Sequence, residues 1–161
     1  MKTHPDDYRI RPMRGDERDA LRRVFERAVL ELGSVAYTPE QLRAWASAAN
    51  TPRFDALIDE VRTFVAHRQN DAIGFCGVGA DGHVRSLYVA PEHARRGVAG
   101  ALLTFALHAM RASSGGQFHT EASELSRPVF ERAGFVVTER EQVWREGIAL
   151  TRYRMCLVPA C

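Results

Sequence analysis

The sequence predicts one mixed α/β domain, of the α+β type, with a central sheet of about six to seven strands flanked by four or five helices. The chain has 161 residues, a length typical of one domain, and no repeat, low-complexity tract or Pro/Gly-rich linker divides it. Apolar residues make up 45% and charged residues 26%, which is enough for one buried core. The spacing of apolar residues is helical at first, then strand-like, and finally alternates between the two. We therefore expect residues 1–161 to form a single domain.

The N-terminal part predicts one strand followed by helices. Residues 8–11 predict the strand, residues 16–32 a long helix, and residues 54–59 a short helical turn. The long helix carries one apolar stripe: Leu21, Val24, Phe25, Ala28, Val29 and Leu32. Thr38 is expected to cap a second helix, with Pro39 at its first position and Gln41 completing a capping box. That helix is expected to bury Leu42, Trp45, Ala46 and Ala49.

The rest of the chain predicts the sheet and its crossover helices. Strands are predicted at residues 63–67, 72–78, 83–89, 117–122, 135–145 and 149–157, and helices at 98–111 and 126–133. Turn-forming sequences at 69–71 and 79–82 make hairpins of the first three of these strands. The element order gives the domain an antiparallel half.

Charge and cysteine content exclude several classes of protein. Lys+Arg is 22 and Asp+Glu is 20, so the net charge of +2 gives no reason to expect nucleic acid or a membrane as partner. The apolar run at 97–110 is too short to span a bilayer, and residues 1–7 do not resemble a signal peptide. Three sparse cysteines argue against a disulfide framework or a zinc site, and we expect no metal. Cys76 and Cys156 lie in apolar segments and are expected to be small core residues. The expected location of the protein is the cytoplasm.

The segment from 86 to 103 carries the clearest chemical signal. A buried strand leads into a Pro-bounded turn, then into two arginines and a glycine, and a helix begins at once. The first N–H groups of a helix have no intrahelical partner, and the helix dipole makes that end positive. Gly97 and Ala99 leave room for an anion to approach these amides, and Arg95 and Arg96 add charge. We therefore predict a diphosphate site made by Arg95, Arg96, Gly97, Val98, Ala99 and Gly100.

The same residues resemble the pyrophosphate loop of the GNAT acetyltransferases, whose pattern is Gln/Arg-x-x-Gly-x-Gly/Ala. Ala94 stands where the family has Gln or Arg, and Arg95 is the candidate to supply the missing charge. Three further segments are similar to family segments: Leu87-Tyr88-Val89-x-Pro91-Glu92 to the bulged fourth strand, Phe130-Glu131-x-x-Gly134-Phe135 to a helix-to-strand junction, and Tyr153-x-Met155 to the last strand. The resemblance covers nearly the whole chain, and residues 34–49 are similar to those of small bacterial acetyltransferases of the YafP type.

The resemblance implies the GNAT acyl-CoA N-acyltransferase fold and transfer of an acetyl group from acetyl-CoA to a primary amine by direct attack. It implies that backbone near Tyr88 and Val89 stabilises the oxyanion, and that backbone near Leu87 and Val89 binds the pantetheine arm. Phe130 then packs against the cofactor. Because many family members are dimers, we expect a homodimer, and the sequence leaves open whether the last strand pair is exchanged in it.

The proton-transfer groups remain alternatives. An amine is mostly protonated at neutral pH, so a base must act, and the candidates are Glu121 and His83. The family often has a tyrosine acid where this chain has Phe130, which has no proton to donate. Tyr153 or water is then expected to protonate the thiolate; the remaining alternative is a CoA-binding sensor with little turnover.

The acceptor is expected to be a small-molecule amine, with a protein or peptide amine as the alternative. Its pocket is expected between the N-terminal helices and the last strand pair, lined from among Tyr37, Trp45, Phe64, Trp144 and Tyr153. A dinucleotide-binding module is excluded by context, because no G-x-G-x-x-G stands inside a βαβ unit with an acidic residue about twenty positions on. A P-loop kinase is excluded because no Gly-Lys-Ser/Thr follows Gly97.

Overall fold

The computed structural model describes residues 7–157 and contains one mixed sheet. Its strands are β1 (Arg9–Pro12), β2 (Arg62–Arg68), β3 (Asp71–Val78), β4 (His83–Val89), β5 (His119–Ala122), β6 (Phe135–Arg145) and β7 (Ile148–Leu157). They are ordered β1-β2-β3-β4-β5-β7-β6, and only β4 and β5 run parallel. Seven strands confirm the predicted mixed sheet, whereas the insertion of β7 between β5 and β6 was not predicted.

Five helices cover the two faces of this sheet. They are α1 (Arg18–Arg27), α2 (Pro39–Ala46), α3 (Pro52–Asp59), α4 (Val98–Ser114) and α5 (Arg127–Arg132). One core lies between the sheet and α1, α2 and α3, around Val65 and Phe75, which are fully buried. The other lies on the opposite face, where Leu102 and Leu103 of α4 are also fully buried. Burying both faces of the sheet gives the domain its core.

The helices follow the predicted patterns except at three ends. Helix α2 stops at Ala46, so Ala49, expected in the same helix, lies in the 3-10 turn Ser47–Asn50, and Trp45, expected to be buried, is half-buried. The first helix is regular only to Arg27, and residues Ala28–Leu32 form a π-helical turn rather than the expected α-helix. A π-turn widens the backbone locally, and such turns are frequent at functional sites. Helix α4 extends past the predicted end to Ser114, where Gly115 terminates it with a positive φ of 66°.

Strands β4 and β5 separate soon after they begin. Their pairing consists of His83 with His119 and Val84 with Thr120. Beyond Val84 no residue of β4 pairs with β5, although β5 continues along β7 to Ala122. The gap exposes one backbone edge of β4 in the middle of the sheet.

The cysteines differ in state. Cys76 is free and fully buried, which confirms the expectation of a small core residue. Cys156 was expected to be a second such residue, and this prediction is wrong because Cys156 is disulfide-bonded. Pairing with another sulfur, rather than apolar packing alone, determines its environment.

No helix in the described part of the chain is long and apolar enough to cross a membrane. Within residues 7–157, no group of three or more His, Cys, Asp and Glu side chains is arranged to hold a metal ion. The expectation about a signal peptide concerns residues 1–7, and all but the last of these lie outside the described residues.

Candidate active site

A groove of about 520 Å³ runs along the start of α4 and the end of β4. Its opposite wall includes the π-turn, through Val29 and Leu32. Of the residues predicted to bind the cofactor, the groove is lined by Leu87, Tyr88, Val89, Arg95, Gly97, Val98, Ala99 and Gly100. The wider backbone at the end of the first helix therefore faces the predicted diphosphate loop.

The loop before α4 has the geometry of an anion site. Gly97 caps the helix with a φ of +80°, a left-handed conformation that favours glycine, and no side chain bonds to this helix end. The first helical hydrogen bond runs from Ala101 N to Gly97 O at 3.0 Å, so the amides before Ala101 have no partner one turn back. A Cβ atom at Gly97 or Gly100 would meet nothing within 4 Å, which means that both glycines face open space. These features fit the diphosphate of coenzyme A.

Arg95 and Arg96 do not occupy equivalent positions. Arg95 lines the groove and has a φ of 60°, a left-handed conformation that is unusual for a residue with a side chain. Ala94, the position at which the family pattern has Gln or Arg, also lines the groove. The turn therefore places the Arg95 side chain in the groove next to that position. Arg96 is exposed and is not among the residues that line the groove.

The backbone edge of β4 supplies further donors. Ala90 N donates to Ile73 O of β3 at 2.8 Å, so the strand alternation directs the N–H groups of Leu87 and Val89 away from β3, into the gap toward β5. The resemblance implied a bulge near Tyr88 and Val89. The register between β3 and β4 shifts at Arg85 instead, which is the extra residue of β4 between Val84 and Ser86. The separation from β5, rather than a bulge, frees the amides at Leu87 and Val89.

A second cavity, of about 320 Å³, occupies the gap on the side of α2 and α3. The hairpin of β6 and β7 forms its far wall through Val143 and Leu150. This cavity and the groove share wall residues: Trp45, Leu87, Tyr88, Ser123 and Ser126. A group bound at the inner end of the groove therefore lies next to the contents of the second cavity.

His83 and Glu121, the two predicted base candidates, both line the second cavity. His83 Nε2 lies 2.5 Å from Glu121 Oε2, and each side chain is 26% exposed. The hydrogen bond from His83 lowers the pKa of Glu121, against the opposing effect of partial burial, and Arg152 lowers it further. Glu121 is therefore ionised at neutral pH and can only accept a hydrogen bond, so Nε2 carries the hydrogen; in the neutral imidazole, Nδ1 then holds the lone pair.

Tyr153 and Phe130 lie differently from their predicted roles. The Tyr153 hydroxyl donates to Glu124 Oε1 at 2.5 Å, and the Arg127 guanidinium lies over its ring at 4.5 Å. Tyr153 is buried, and it lines neither cavity. Phe130 lines the second cavity rather than the groove, and its ring packs on Phe135 at 5.1 Å.

Of the aromatic residues expected around the acceptor, Tyr37 and Trp45 line the second cavity. The Tyr37 hydroxyl donates to Thr151 O at 3.3 Å and accepts the Glu124 N–H at 2.9 Å, which ties the start of α2 to the hairpin and to the segment after β5. The other three do not line it, because Phe64 and Tyr153 belong to the core around α4 and Trp144 is 65% exposed.

Four arginines that line the second cavity were not predicted from the sequence, and two of them, Arg85 and Arg152, lie on β4 and β7. Arg53, at the start of α3, and Arg145, at the end of β6, both line it. The alternation of Glu141, Val143 and Arg145 along β6 indicates that they share a face, and this signal was available. Nothing in the sequence indicates that α3 covers that face, since the two segments are far apart in the chain.

The match to known proteins covers most of the chain. The family model of the acetyltransferase (GNAT) domain matches residues 34–157. The uncharacterized N-acetyltransferase YafP of Escherichia coli strain K12 is 31% identical over 136 residues, which are 84% of this chain and 86% of that protein.

Two solved structures share the fold. A GCN5-related N-acetyltransferase from Rhodopseudomonas palustris has a TM-score of 0.86 at 25% identity over 98% of each chain. The PaiA N-acetyltransferase of Thermoplasma acidophilum, in complex with coenzyme A, has a TM-score of 0.73 at 15% identity over 93% of this chain and 98% of that one. Together with the loop at Gly97, the family match shows that this chain belongs to the GNAT family and is an acetyl-CoA-dependent N-acetyltransferase.

Proposed function

We propose that this enzyme acetylates the amine of a small molecule that binds in the second cavity, hereafter the acceptor cavity. The observation that carries the proposal is the shared wall at Leu87, Tyr88 and Ser123, where the cofactor groove meets this cavity. A volume of about 320 Å³ lies at the lower end of the range for small-molecule sites, roughly 300–1,000 Å³.

Acetyl-CoA supplies an activated acetyl group as a thioester. The amides at the start of α4 and the Arg95 guanidinium hold the diphosphate, and the free amides of Leu87 and Val89 bind the pantetheine arm and the developing oxyanion. Removing one oxyanion donor typically costs about 10²–10³ in rate. A strand edge held in the middle of a sheet suits this task because its amides are fixed before the substrate arrives.

His83 acts as the base, and Glu121 positions it. With Nε2–H held by the Glu121 carboxylate, Nδ1 is available to take the amine proton, directly or through a water molecule. Glu121 alone is a weak base because its pKa is lowered. The departing thiolate takes a proton from water, since a thiol with a pKa of about 8.5 leaves readily as the thiolate.

A protein acceptor is the competing function. The walls of the cavity favour a small molecule, because α2, α3 and the β6–β7 hairpin surround the space that an amine must reach. A peptide must leave this space at both of its ends, and Arg53, Arg145 and Tyr37 are among the residues that line it.

A release assay for the coenzyme A thiol tests the proposal. We expect turnover with a panel of small primary amines, and little with unstructured peptides that present a lysine or a free N-terminus. Turnover of peptides at a kcat/KM above that of every small amine would contradict the small-molecule assignment. A Tyr153→Phe variant that retains full turnover removes Tyr153 from the candidate acids.

A further inference from the structure

The acceptor cavity carries more positive than negative charge. Its wall includes four arginines: Arg53, Arg85, Arg145 and Arg152. Glu121 is the carboxylate among the wall residues, and His83 already engages it. The arginines therefore outnumber the carboxylates that face this space.

Two of the four arginines have their own counter-ions. Arg85 Nη1 lies 2.7 Å from Glu60 Oε2, and Arg152 Nε lies 2.5 Å from Glu141 Oε1. Carboxylates outside the cavity wall thus neutralise this pair. These two arginines have a structural explanation that needs no ligand.

Arg53 and Arg145 have no such explanation. Within residues 7–157, no carboxylate forms an ion pair with either guanidinium, and the described side-chain hydrogen bond of Arg145 goes to Trp144 O at 3.0 Å. The pKa of Arg145 is lowered by burial first, and then by the charges of Arg53 and Arg152. The fold therefore holds like charges close together around a partly buried guanidinium, which costs free energy unless an anion binds there.

The arrangement also separates this charge from the base. Arg145 pairs with Ile148 at the start of β7, whereas Glu121 pairs with Arg154 near its end. These positions are roughly 20 Å apart along the strand, at about 3.4 Å per residue. Long side chains shorten the distance between the charged groups inside the cavity, but an acceptor must still place several bonds between its anion and its amine to reach both ends.

We infer that Arg53 and Arg145 form an anion-binding subsite that selects, as acetyl acceptors, amines bearing a carboxylate or phosphate several bonds from the nitrogen. Guanidinium groups bind both anions through paired hydrogen bonds, which accounts for the use of arginine at this end. The inference rests on the proposed function, since it assigns the acceptor to this cavity. The arginines that hold the acceptor's anion at one end and the His83–Glu121 pair at the other fix which nitrogen is acetylated.

Matched acceptors test the subsite. Thiol release is measured with γ-aminobutyrate against n-butylamine, and with phosphoethanolamine against ethanolamine, so that carboxylate and phosphate are compared separately. We expect kcat/KM to favour at least one acidic amine over its neutral partner by about 10–100-fold, the range for a charged contact in a partly desolvated site. Equal or faster turnover of both neutral amines would overturn the inference.

Variants then assign the preference to the two arginines. Arg145→Gln and Arg53→Gln should each reduce the ratio of acidic to neutral kcat/KM toward unity. Arg140→Gln is the matched control, because Arg140 lies on the same strand with its side chain on the alternate face and lines neither cavity. An unchanged ratio in both cavity variants, or a rise in KM for acetyl-CoA as their main effect, would assign these arginines to another role.

A binding measurement separates this inference from the proposed function. Calorimetry follows the same acidic amines as they bind to the protein loaded with coenzyme A. Binding that is lost in Arg145→Gln and kept in Arg140→Gln supports the subsite even if no amine is acetylated. If neither acidic amine binds to the wild-type protein, the subsite is refuted, whatever the turnover of neutral amines.

Discussion

His83 and Glu121 show how far a single side chain can be interpreted from sequence. Both were candidate bases because a histidine at the start of one strand and a carboxylate on the next are common proton carriers. The sequence could not show that their side chains meet, since this depends on the parallel pairing of β4 with β5 across the whole α4 crossover. The short contact between them assigns them to one unit rather than to alternatives.

Substitution of this pair should show that the two residues act together. We expect His83→Gln to lower kcat by about 10²–10⁴, the usual contribution of a general base. Glu121→Gln should lower kcat less, because the imidazole base is still present. The amide no longer fixes the imidazole tautomer, so this variant should also alter the pH profile of kcat/KM. The double variant should be close to His83→Gln alone, since residues that act as a unit are not additive.

His119→Gln is the control for this series. The His119 ring stacks on His83 with centroids 4.7 Å apart, but His119 does not line the acceptor cavity. Thiol release under saturating acetyl-CoA measures all four variants. Full multiplicative losses in the double variant, or a loss in His119→Gln as large as in His83→Gln, would contradict the assigned roles.

At the scale of elements, helix starts were predictable and strand neighbours were not. The capping box of α2 was apparent from Thr38, Pro39 and Gln41, because it depends on residues three positions apart. The position of β7 between β5 and β6 depends on contacts between distant segments, which one sequence does not encode locally. Because the β6–β7 hairpin forms the far wall of the acceptor cavity, that wall could not be predicted either.

The cap of α2 gives a stability prediction. Gln41 N donates to Thr38 Oγ1 at 3.2 Å, and Thr38 N donates to Gln41 Oε1 at 2.9 Å. Thr38→Ala removes the side-chain acceptor, and we expect it to lower the free energy of unfolding by about 1 kcal/mol. Urea unfolding followed by fluorescence measures the change. A free energy equal to that of the wild type would show that the cap does not stabilise α2.

At the scale of the whole molecule, one ion pair connects the first strand to Glu17, the residue that caps the start of α1. Arg11 Nη2 lies 2.5 Å from Glu17 Oε1, and the two side chains are only 11% and 15% exposed. The hydrogen bond from Arg11 is the largest cause of the lowered pKa of Glu17. A carboxylate with a lowered folded-state pKa stabilises the fold above its unfolded pKa of about 4.3, and this stabilisation is lost as the pH falls through the folded value.

Glu17→Gln should therefore destabilise the protein in a pH-dependent way. We expect a loss of about 1.5–3 kcal/mol at neutral pH, the range for hydrogen bonds to charged groups, with a smaller loss at acidic pH. Glu26→Gln is the control, because Glu26 forms no ion pair within residues 7–157. Urea unfolding of each variant at neutral and at acidic pH measures the difference. A deficit that stays constant across this range would show that the charge of Glu17 is not the source of the stabilisation.

We expect the amides that open α4 to hold the diphosphate of coenzyme A, and two glycines of this helix allow a matched test. Gly97 and Gly115 lie at opposite ends of α4, both with positive φ and with open space where a Cβ would lie. Gly97→Glu and Gly115→Glu therefore introduce similar backbone strain, but only the first places a carboxylate against the diphosphate.

Calorimetric titration of coenzyme A into the three folded proteins is the decisive measurement. We expect Gly115→Glu to bind like the wild type and Gly97→Glu to bind at least about 10-fold more weakly, because an unfavourable charge contact costs several kcal/mol. Equal affinity of Gly97→Glu and the wild type, or no heat of binding from the wild type itself, would contradict the account.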